Sequence, residues 1–550
     1  MDIKKGNRWI KYAPLIVLII LIFVLINPSF FQSNFEAKSP NSLLAGDAYG
    51  GVSYIYDIDR MGNFNQESQF ILGFTGGKVT LREMPLFFIY GTFLYNLLGI
   101  EPYVAIFLGL LLGMILSISI FYIIIKKQSF TWAVFFLPCT LFLFTFPFIA
   151  GITWGIWKSY FMYFILATSF LFFLTRFTKE RAVIFIIIWS SLILTHPSLL
   201  IYFLALFLIK IIVEKQDLKR NISTLFISGI ITLTITLHYF LNYAIVSAEP
   251  GATKEKILGL IGAHGSYHLY AANPYTSHFG FFWYIALAGF AYSLFYLFQN
   301  IKKRETFKFK LFSLFSLFFI IFLLPVVGLT RINQFRLVWP LYVSVFVGLV
   351  IYLLFKIIKD KFKIKNKFAI FIIYLILLVG LVNYLQFSKT NYSITNEEQW
   401  DTYMFINENT NTNATLLLIN PVSSQNEFQP INRKLRYYDL ERFSKATQTD
   451  TSLTNLYSKF VCDPPKKTRD GFKIYSNEEM VKECEENREK NVPPCTFDYI
   501  LINKQFQNQE QVNLVQEFIS ELDITNYQMI KESQQTLLLK NNKVCKENEI

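Results

Sequence analysis

Runs of about 18 to 23 apolar residues recur along the chain as far as position 385, and each can cross the roughly 30 Å hydrocarbon layer as a helix. Water does not reach the backbone there, so a helix that bonds its own polar groups is the form such a run takes. Composition agrees: of 550 residues, 53% are hydrophobic, 18% aromatic and only 17% charged, against about 25% charged in an average soluble domain. A simple soluble enzyme is excluded. The expected fold class is mainly α, a polytopic membrane helix bundle.

The runs lie near 12–31, 103–125, 130–150, 160–175, 183–195, 198–213, 225–246, 281–298, 311–329, 337–355 and 368–385, eleven in all. The fifth and sixth occupy only 31 residues, 183 to 213, so Thr195-His196-Pro197 is either the tip of a tight hairpin or a kink in one long helix. Charge decides, because one miscounted span exchanges inside and outside for everything after it. With eleven spans and a cytoplasmic N-terminus, the short inner segments hold 23 Lys and Arg, from Lys4 through Lys126, Lys215 and Lys302 to Lys367. The longer outer loops before the tail hold nine. That is the asymmetry of the positive-inside rule, and it selects the hairpin.

Met84 to Leu98, about 15 residues with Pro85 near its start, is too short to cross and is expected to lie on the outer interface. Four positive charges ahead of the first run look like a secretory signal. The run continues for about 20 residues without a convincing cleavage site, as an uncleaved signal anchor does.

The net charge of +13 divides unevenly. Residues 1–386 hold 33 Lys+Arg against 15 Asp+Glu, or +18, and residues 387–550 hold 19 against 24, or −5. The basic excess therefore belongs to loops beside a lipid bilayer, and a nucleic-acid partner is not expected. The same division gives the expected domains: a transmembrane domain, 1–386, with an outer loop 32–102, and a polar extracytoplasmic α/β domain, 387–550. In the latter, Thr415 to Ile419 and Tyr499 to Ile502 read as strands, Glu510 to Leu522 as an amphipathic helix and Asn407 to Asn413 as a turn.

Cys462, Cys484, Cys495 and Cys545 all lie in this tail, an even number that suits disulfides on an oxidising face, whereas Cys139 lies in the third span. Cys484 and Cys495, separated by ten residues that include Pro493-Pro494, are the preferred pair. A zinc site built from all four is the alternative, although no CxxC is present. Asn391 and Asn413 open glycosylation sequons on the exposed side.

Nine acids precede the tail on the outer face, and seven of them stand in the first outer loop. The densest stretch is Gly46-Asp47-Ala48-Tyr49-Gly50-Gly51, followed by Tyr56-Asp57-Ile58-Asp59-Arg60. A carboxylate held beside a membrane can take the proton of an acceptor hydroxyl, or hold a divalent metal that neutralises a phosphate leaving group. Asp57 and Asp59 cannot share one face if the stretch is helical, so at most one of them faces a site; the bland alternative is a charged loop.

Asp47 in "GDAYGGVSYIYDIDRMGNF", then Glu83 in "REMPLFFIYGTFLYNLLGIEP", resemble the start of the GT-C membrane glycosyltransferases. "WDTYMFINENTNTNATLLLIN" and "FDYILINK" look like the outer domain appended in that superfamily, where a helix and turn lead to a buried strand. The resemblance covers roughly residues 1 to 210 and 395 to 505. It implies sugar transfer from a polyprenyl-phosphate donor to a glycan, lipid or protein acceptor on the non-cytoplasmic face, usually with inversion. It also implies Asp47 as general base or metal ligand, a solvated or capping aspartate being the other reading, while Asp57 and Asp59 form a short DxD pattern and are further candidate acids. Two departures are an absent adjacent acidic pair and an absent WWDYG motif, so transfer of whole oligosaccharides to asparagine is not expected.

A phosphate leaving group needs cations on the same face. Arg331 and Arg336 flank the short loop between the ninth and tenth runs, and their guanidinium forks suit a lipid phosphate; snorkelling at the interface is the other reading. Lys158, at the outer start of the fourth run beside Trp154 and Trp157, is a further candidate that an aromatic belt also explains. His196 is a polar group at a hairpin tip within the membrane, either functional or bonded to a helix end. His264 and His268 have metal-like i, i+4 spacing, but Gly265 and Asn273-Pro274 argue for a loop, and His238 reads as a packing residue.

No P-loop, GxGxxG, HExxH or GxSxG pattern is present, so nucleotide and nicotinamide chemistry are unsupported. Mg²⁺ or Mn²⁺ is the candidate cofactor. The expectation is a multi-pass glycosyltransferase of the cell membrane with Arg331, Arg336, His196, Lys158 and Glu83 binding substrate. A lipid-linked glycan flippase, an inactive GT-C-like scaffold, and a polysaccharide polymerase or ligase are the alternatives.

Overall fold

The computed structural model describes residues 11–26, parts of 51–62, 85–144, 157–175, 179–195, 200–214, 218–247, 279–304, 306–323, 339–362, 367–385, 397–410, 414–419, 436–439, 498–504 and 526–542, with isolated positions in 509–516. Its helices are α1 Ala13–Ile26, α2 Leu86–Leu98, α3 Pro102–Gln128, α4 Phe130–Cys139, α5 Trp157–Phe173, α6 Lys179–Thr195, α7 Leu200–Val213, α8 Leu218–Ser247, α9 Phe281–Gln299, α10 Phe307–Leu323, α11 Trp339–Phe362, α12 Lys367–Leu385 and α13 Glu397–Asn409. A helix stands at the place of each expected span, and the stretch expected at the interface forms α2. Among the described residues, five helical segments are long and apolar enough to cross a membrane: Pro102–Gln128, Lys219–Leu237, Phe281–Gln299, Trp339–Phe362 and Phe368–Leu385.

Helix ends follow local chemistry. Gly99 closes α2 in the left-handed region, φ 63°, and donates its N–H to the Tyr95 carbonyl. Pro102 then opens α3, where its missing N–H costs nothing. This corner keeps the 13-residue α2 from extending α3 into one long rod. Ile89, Phe93 and Leu97, four residues apart, form an exposed apolar stripe on α2, while Phe87, Phe88, Gly91 and Leu94 are buried. Pro138 sits in the last turn of α4, after which the chain tightens into a 3-10 turn over Thr140–Phe144.

The hairpin reading of 183–213 agrees with the packing. The Trp189 and Phe203 rings meet at 4.9 Å, and Phe185 meets Phe203 at 5.3 Å. One continuous helix would hold Trp189 and Phe203 about 21 Å apart, so α6 and α7 fold back on each other.

Charged ends gather at one end of the bundle. Lys126 Nζ lies 3.5 Å from the Tyr12 ring centroid, and the Tyr122 hydroxyl donates to the Lys11 carbonyl. The Tyr374 hydroxyl donates to the Pro14 carbonyl at 2.7 Å. Lys210 Nζ donates to the carbonyls of Phe173 and Thr175, at 2.9 and 2.8 Å, and pairs with Glu214, which also pairs with Lys310. One finding departs from expectation: Lys219, Lys308, Lys310, Lys356 and Lys359 belong to helices rather than loops. Helices outlast their apolar runs because long basic side chains carry their charge back to water.

The core is aromatic. Phe170 meets Phe121, Phe315 and Phe318 with centroids 5.4, 5.3 and 5.2 Å away, joining α3, α5 and α10. Helix α11 crosses α4 so closely that a Cβ at Gly348 would stand 2.8 Å from the Phe136 Cα. Across the same crossing Ser344 Oγ donates to the Cys139 carbonyl at 2.9 Å.

After α12 comes a small α/β unit. Strands β1 Thr415–Ile419, β2 Arg436–Asp439, β3 Tyr499–Asn503, β4 Tyr527–Glu532 and β5 Thr536–Asn541 form one sheet in the order β2-β1-β3-β5-β4. β1 is parallel to β2 and β3, whereas β5 is antiparallel to β3 and β4. Helix α13 docks on it by polar contacts: Gln399 Nε2 donates to Asn503 Oδ1 at 2.8 Å, and the Thr402 and Thr536 hydroxyls lie 2.8 Å apart. The two expected strands are β1 and β3. Asn407 to Asn409, expected in a turn, form the last residues of α13. Of the expected helix Glu510 to Leu522, positions 512, 513 and 516 are helical and the rest lies outside the described residues.

Candidate functional site at the acidic segment 51–59

At the end of the bundle opposite the charged one, the described part of 51–59 is helical. Val52, Ile55 and Ile58 recur at a spacing of three and are buried. The helix ends where Gly62, φ 68°, donates its N–H to the Ile58 carbonyl at 2.8 Å. Ile55 packs onto α2 where Gly91 leaves room: a Cβ there would lie 2.7 Å from Ile55 Cδ1. Thr92 Oγ1 donates to the Ile55 carbonyl at 3.4 Å.

Polar contacts follow along the same face. Asn96 Nδ2 donates to Asp59 Oδ1 at 2.8 Å, and the Tyr56 hydroxyl donates to Glu101 Oε2 at 3.0 Å. The Tyr56 and Tyr95 rings meet edge to face at 5.9 Å. Burial, and then the Glu101 charge, hold the Tyr56 hydroxyl pKa well above its ordinary value, so it is a donor across the physiological range.

The leading end of this stretch meets the start of α5. A Cβ on Gly51 would stand 2.5 Å from the Trp157 ring, so only glycine allows the approach. Phe87 lies 6.1 Å from Trp157, Tyr54 lies 4.8 Å from Phe88, and Lys158 Nζ sits 5.2 Å from the Phe88 ring. A cation at a helix N-terminus adds to the positive end of the helix dipole, and the aromatic ring faces offset part of that cost. The result is an aromatic shelf carrying one positive charge beside an acid-rich segment.

Of the expected site residues, Asp59 and Lys158 are described: Lys158 stands at this shelf, and Asp59 at the other end of the helix on Asn96. Asp47, Asp57, Glu83, His196, Arg331, Arg336, Cys484 and Cys495 lie outside the described residues, as do His264 and His268. Among the described residues, no three His, Cys, Asp or Glu side chains come together as a metal site. Sequence reasoning did not single out Tyr56, Asn96 or Glu101 as partners. One signal was available, since Asn96 interrupts the otherwise largely apolar α2.

No family model matches the chain, and no curated protein matches it. Solved structures do. The oligosaccharyltransferase of Archaeoglobus fulgidus in its apo form aligns with a TM-score of 0.53 at 12% identity, over 90% of this chain and 69% of the other. The same enzyme in complex with Zn and sulfate aligns with a TM-score of 0.51 at 12% identity, over 96% and 73%. ArnT from Cupriavidus metallidurans, bound to undecaprenyl phosphate, aligns with a TM-score of 0.48 at 10% identity, over 97% and 99%. The chain shares the fold of the Archaeoglobus fulgidus oligosaccharyltransferase.

Proposed function

We propose that the chain is a membrane glycosyltransferase that moves a sugar from a polyprenyl-phosphate-linked donor to an acceptor on the extracytoplasmic face. The observation that carries the reading is the docked outer helix, held against α2 and the start of α3 with its Gly51 end on Trp157. Asp47 precedes Gly51 by four residues, a length that spans at most about 14 Å. On this reading Asp47 acts beside the shelf that carries Lys158.

In the proposed reaction Asp47 accepts the proton of the acceptor hydroxyl, the hydroxyl oxygen bonds to the anomeric carbon, and the carbon–phosphate oxygen bond breaks with its electron pair leaving on the lipid phosphate. Attack opposite the departing group inverts the anomeric centre. Arg331, Arg336 and Lys158 stabilise the phosphate charge, while Glu83, three residues before α2, and His196, between α6 and α7, line the donor path. Carboxylate oxygens suit Mg²⁺ or Mn²⁺; the described residues do not supply such a site, and no step here depends on one. Residues 1–386 hold the lipid-linked donor, residues 387–550 stand outside, and the basic end faces the cytoplasm.

A panel of polyprenyl-phosphate sugars offered to the protein in nanodiscs, with and without Mg²⁺ or Mn²⁺, tests the reading. Transfer with inverted configuration from one of them supports it and names the donor. Donor binding without product would move the function to a carrier of lipid-linked glycans, and no binding would remove lipid-linked sugars as substrates.

A further inference from the structure

We propose that Asp59 and Glu101 are positioning carboxylates that latch the outer helix to the bundle and so hold its Gly51 end, four residues after Asp47 in sequence, on Trp157. The proposal rests on the transferase reading above only for its effect on turnover.

The apolar face of the stretch, Val52, Ile55 and Ile58, holds it down without fixing its rotation or its slide along α2. Dispersion contacts have no preferred direction. Two directional bonds supply what is missing. Tyr56 and Asp59 are three residues apart, hence neighbours on one helix face. They bond to groups on either side of the Gly99 corner: Asn96 in the last turn of α2 at 2.8 Å, and Glu101 at the start of α3 at 3.0 Å. A helix bonded at two points to two helices can neither turn nor slide. Its far end, Gly51, is then held on the Trp157 ring. Asp59 Oδ1 receives Asn96 and thus faces α2, which suits an anchor.

The test uses the full chain in nanodiscs and four proteins: wild type, Asp59→Ala, Asp59→Asn and Tyr56→Phe. Asparagine keeps an oxygen that accepts from Asn96, so it preserves the latch while removing the charge. Two quantities are read: hydrogen–deuterium exchange over residues 46–60, and the separate kcat and donor KM. Asp59→Ala and Tyr56→Phe are expected to speed exchange several-fold and to lower kcat about tenfold with donor KM within about twofold, as misplacement of a reacting group does. Asp59→Asn should stay near wild type in both. Equal loss in Asp59→Asn and Asp59→Ala would make the carboxylate itself a reacting or ligating group and overturn the proposal. Unchanged exchange in Asp59→Ala would overturn it as well. Exchange needs no turnover, so a wild type that transfers no sugar would remove the transferase reading while the latch is still decided.

Discussion

Glu214 takes Lys210 on one oxygen and Lys310 on the other, each at 2.9 Å, with the acid and Lys210 both buried. Lys210 also satisfies two carbonyls at the end of α5, so one carboxylate ties together three helices. Removing one partner of a buried pair strands a charge and costs about 3–5 kcal/mol, whereas exposed pairs are worth about 0–1 kcal/mol. Glu214→Ala is therefore expected to lower the thermal midpoint in detergent far more than Lys531→Ala, which breaks the exposed pair to Asp401. Similar shifts for the two would contradict the assignment. Tyr56 sets a pH dependence. Its folded pKa is raised, so the stability it supplies is complete below its unfolded value near 10 and is lost as pH rises from there through the folded value. Wild type should lose stability above about pH 10 more steeply than Tyr56→Phe, and parallel curves would argue against the buried bond. Of these residues, the sequence displays the charges but not the partners. Asp59 and Asn96 are 37 positions apart, and only the turn at Gly99 brings α2 and Glu101 to the same helix.

At the scale of elements, run length made the spans legible because crossing hydrocarbon demands it, and a cluster of charge parity separated α6 from α7. Helix ends were less legible. Thr306 accepts the Phe309 N–H and starts α10 ahead of its apolar run, a local bond that hydropathy does not register. Strands β2, β4 and β5 were not legible either: Arg436–Asp439 and Tyr527–Glu532 are short and polar, and their pairing comes from neighbours far along the chain. Helix crossings offer a direct test. Gly348→Leu forces side-chain atoms into the Phe136 backbone and is expected to cost at least about 1–3 kcal/mol. Gly113→Ala, with nothing within 4 Å of the added Cβ, should be neutral or slightly stabilising. Comparable losses would mean that the α4–α11 contact is not the close one described.

For the whole molecule, two ends of opposite character organise the account. Basic side chains and helix-end carbonyls collect at one, and the docked acidic helix with Trp157 and Lys158 stands at the other. The positive-inside rule predicts that the basic end faces the cytoplasm. A full-length chain fused at its C-terminus to alkaline phosphatase is expected to be active in a bacterium, and the matching green fluorescent protein fusion dark. The reverse pattern would invert the topology and place the acids in the cytoplasm. On the proposed mechanism Asp47 takes the proton of the acceptor hydroxyl, and the transfer rate of Asp47→Ala beside wild type, both confirmed folded by thermal unfolding in the same detergent, tests that role most directly. Loss of a general base predicts a fall of about 10²–10⁴-fold with donor binding retained. A variant that transfers sugar at the wild-type rate would remove Asp47 from that role.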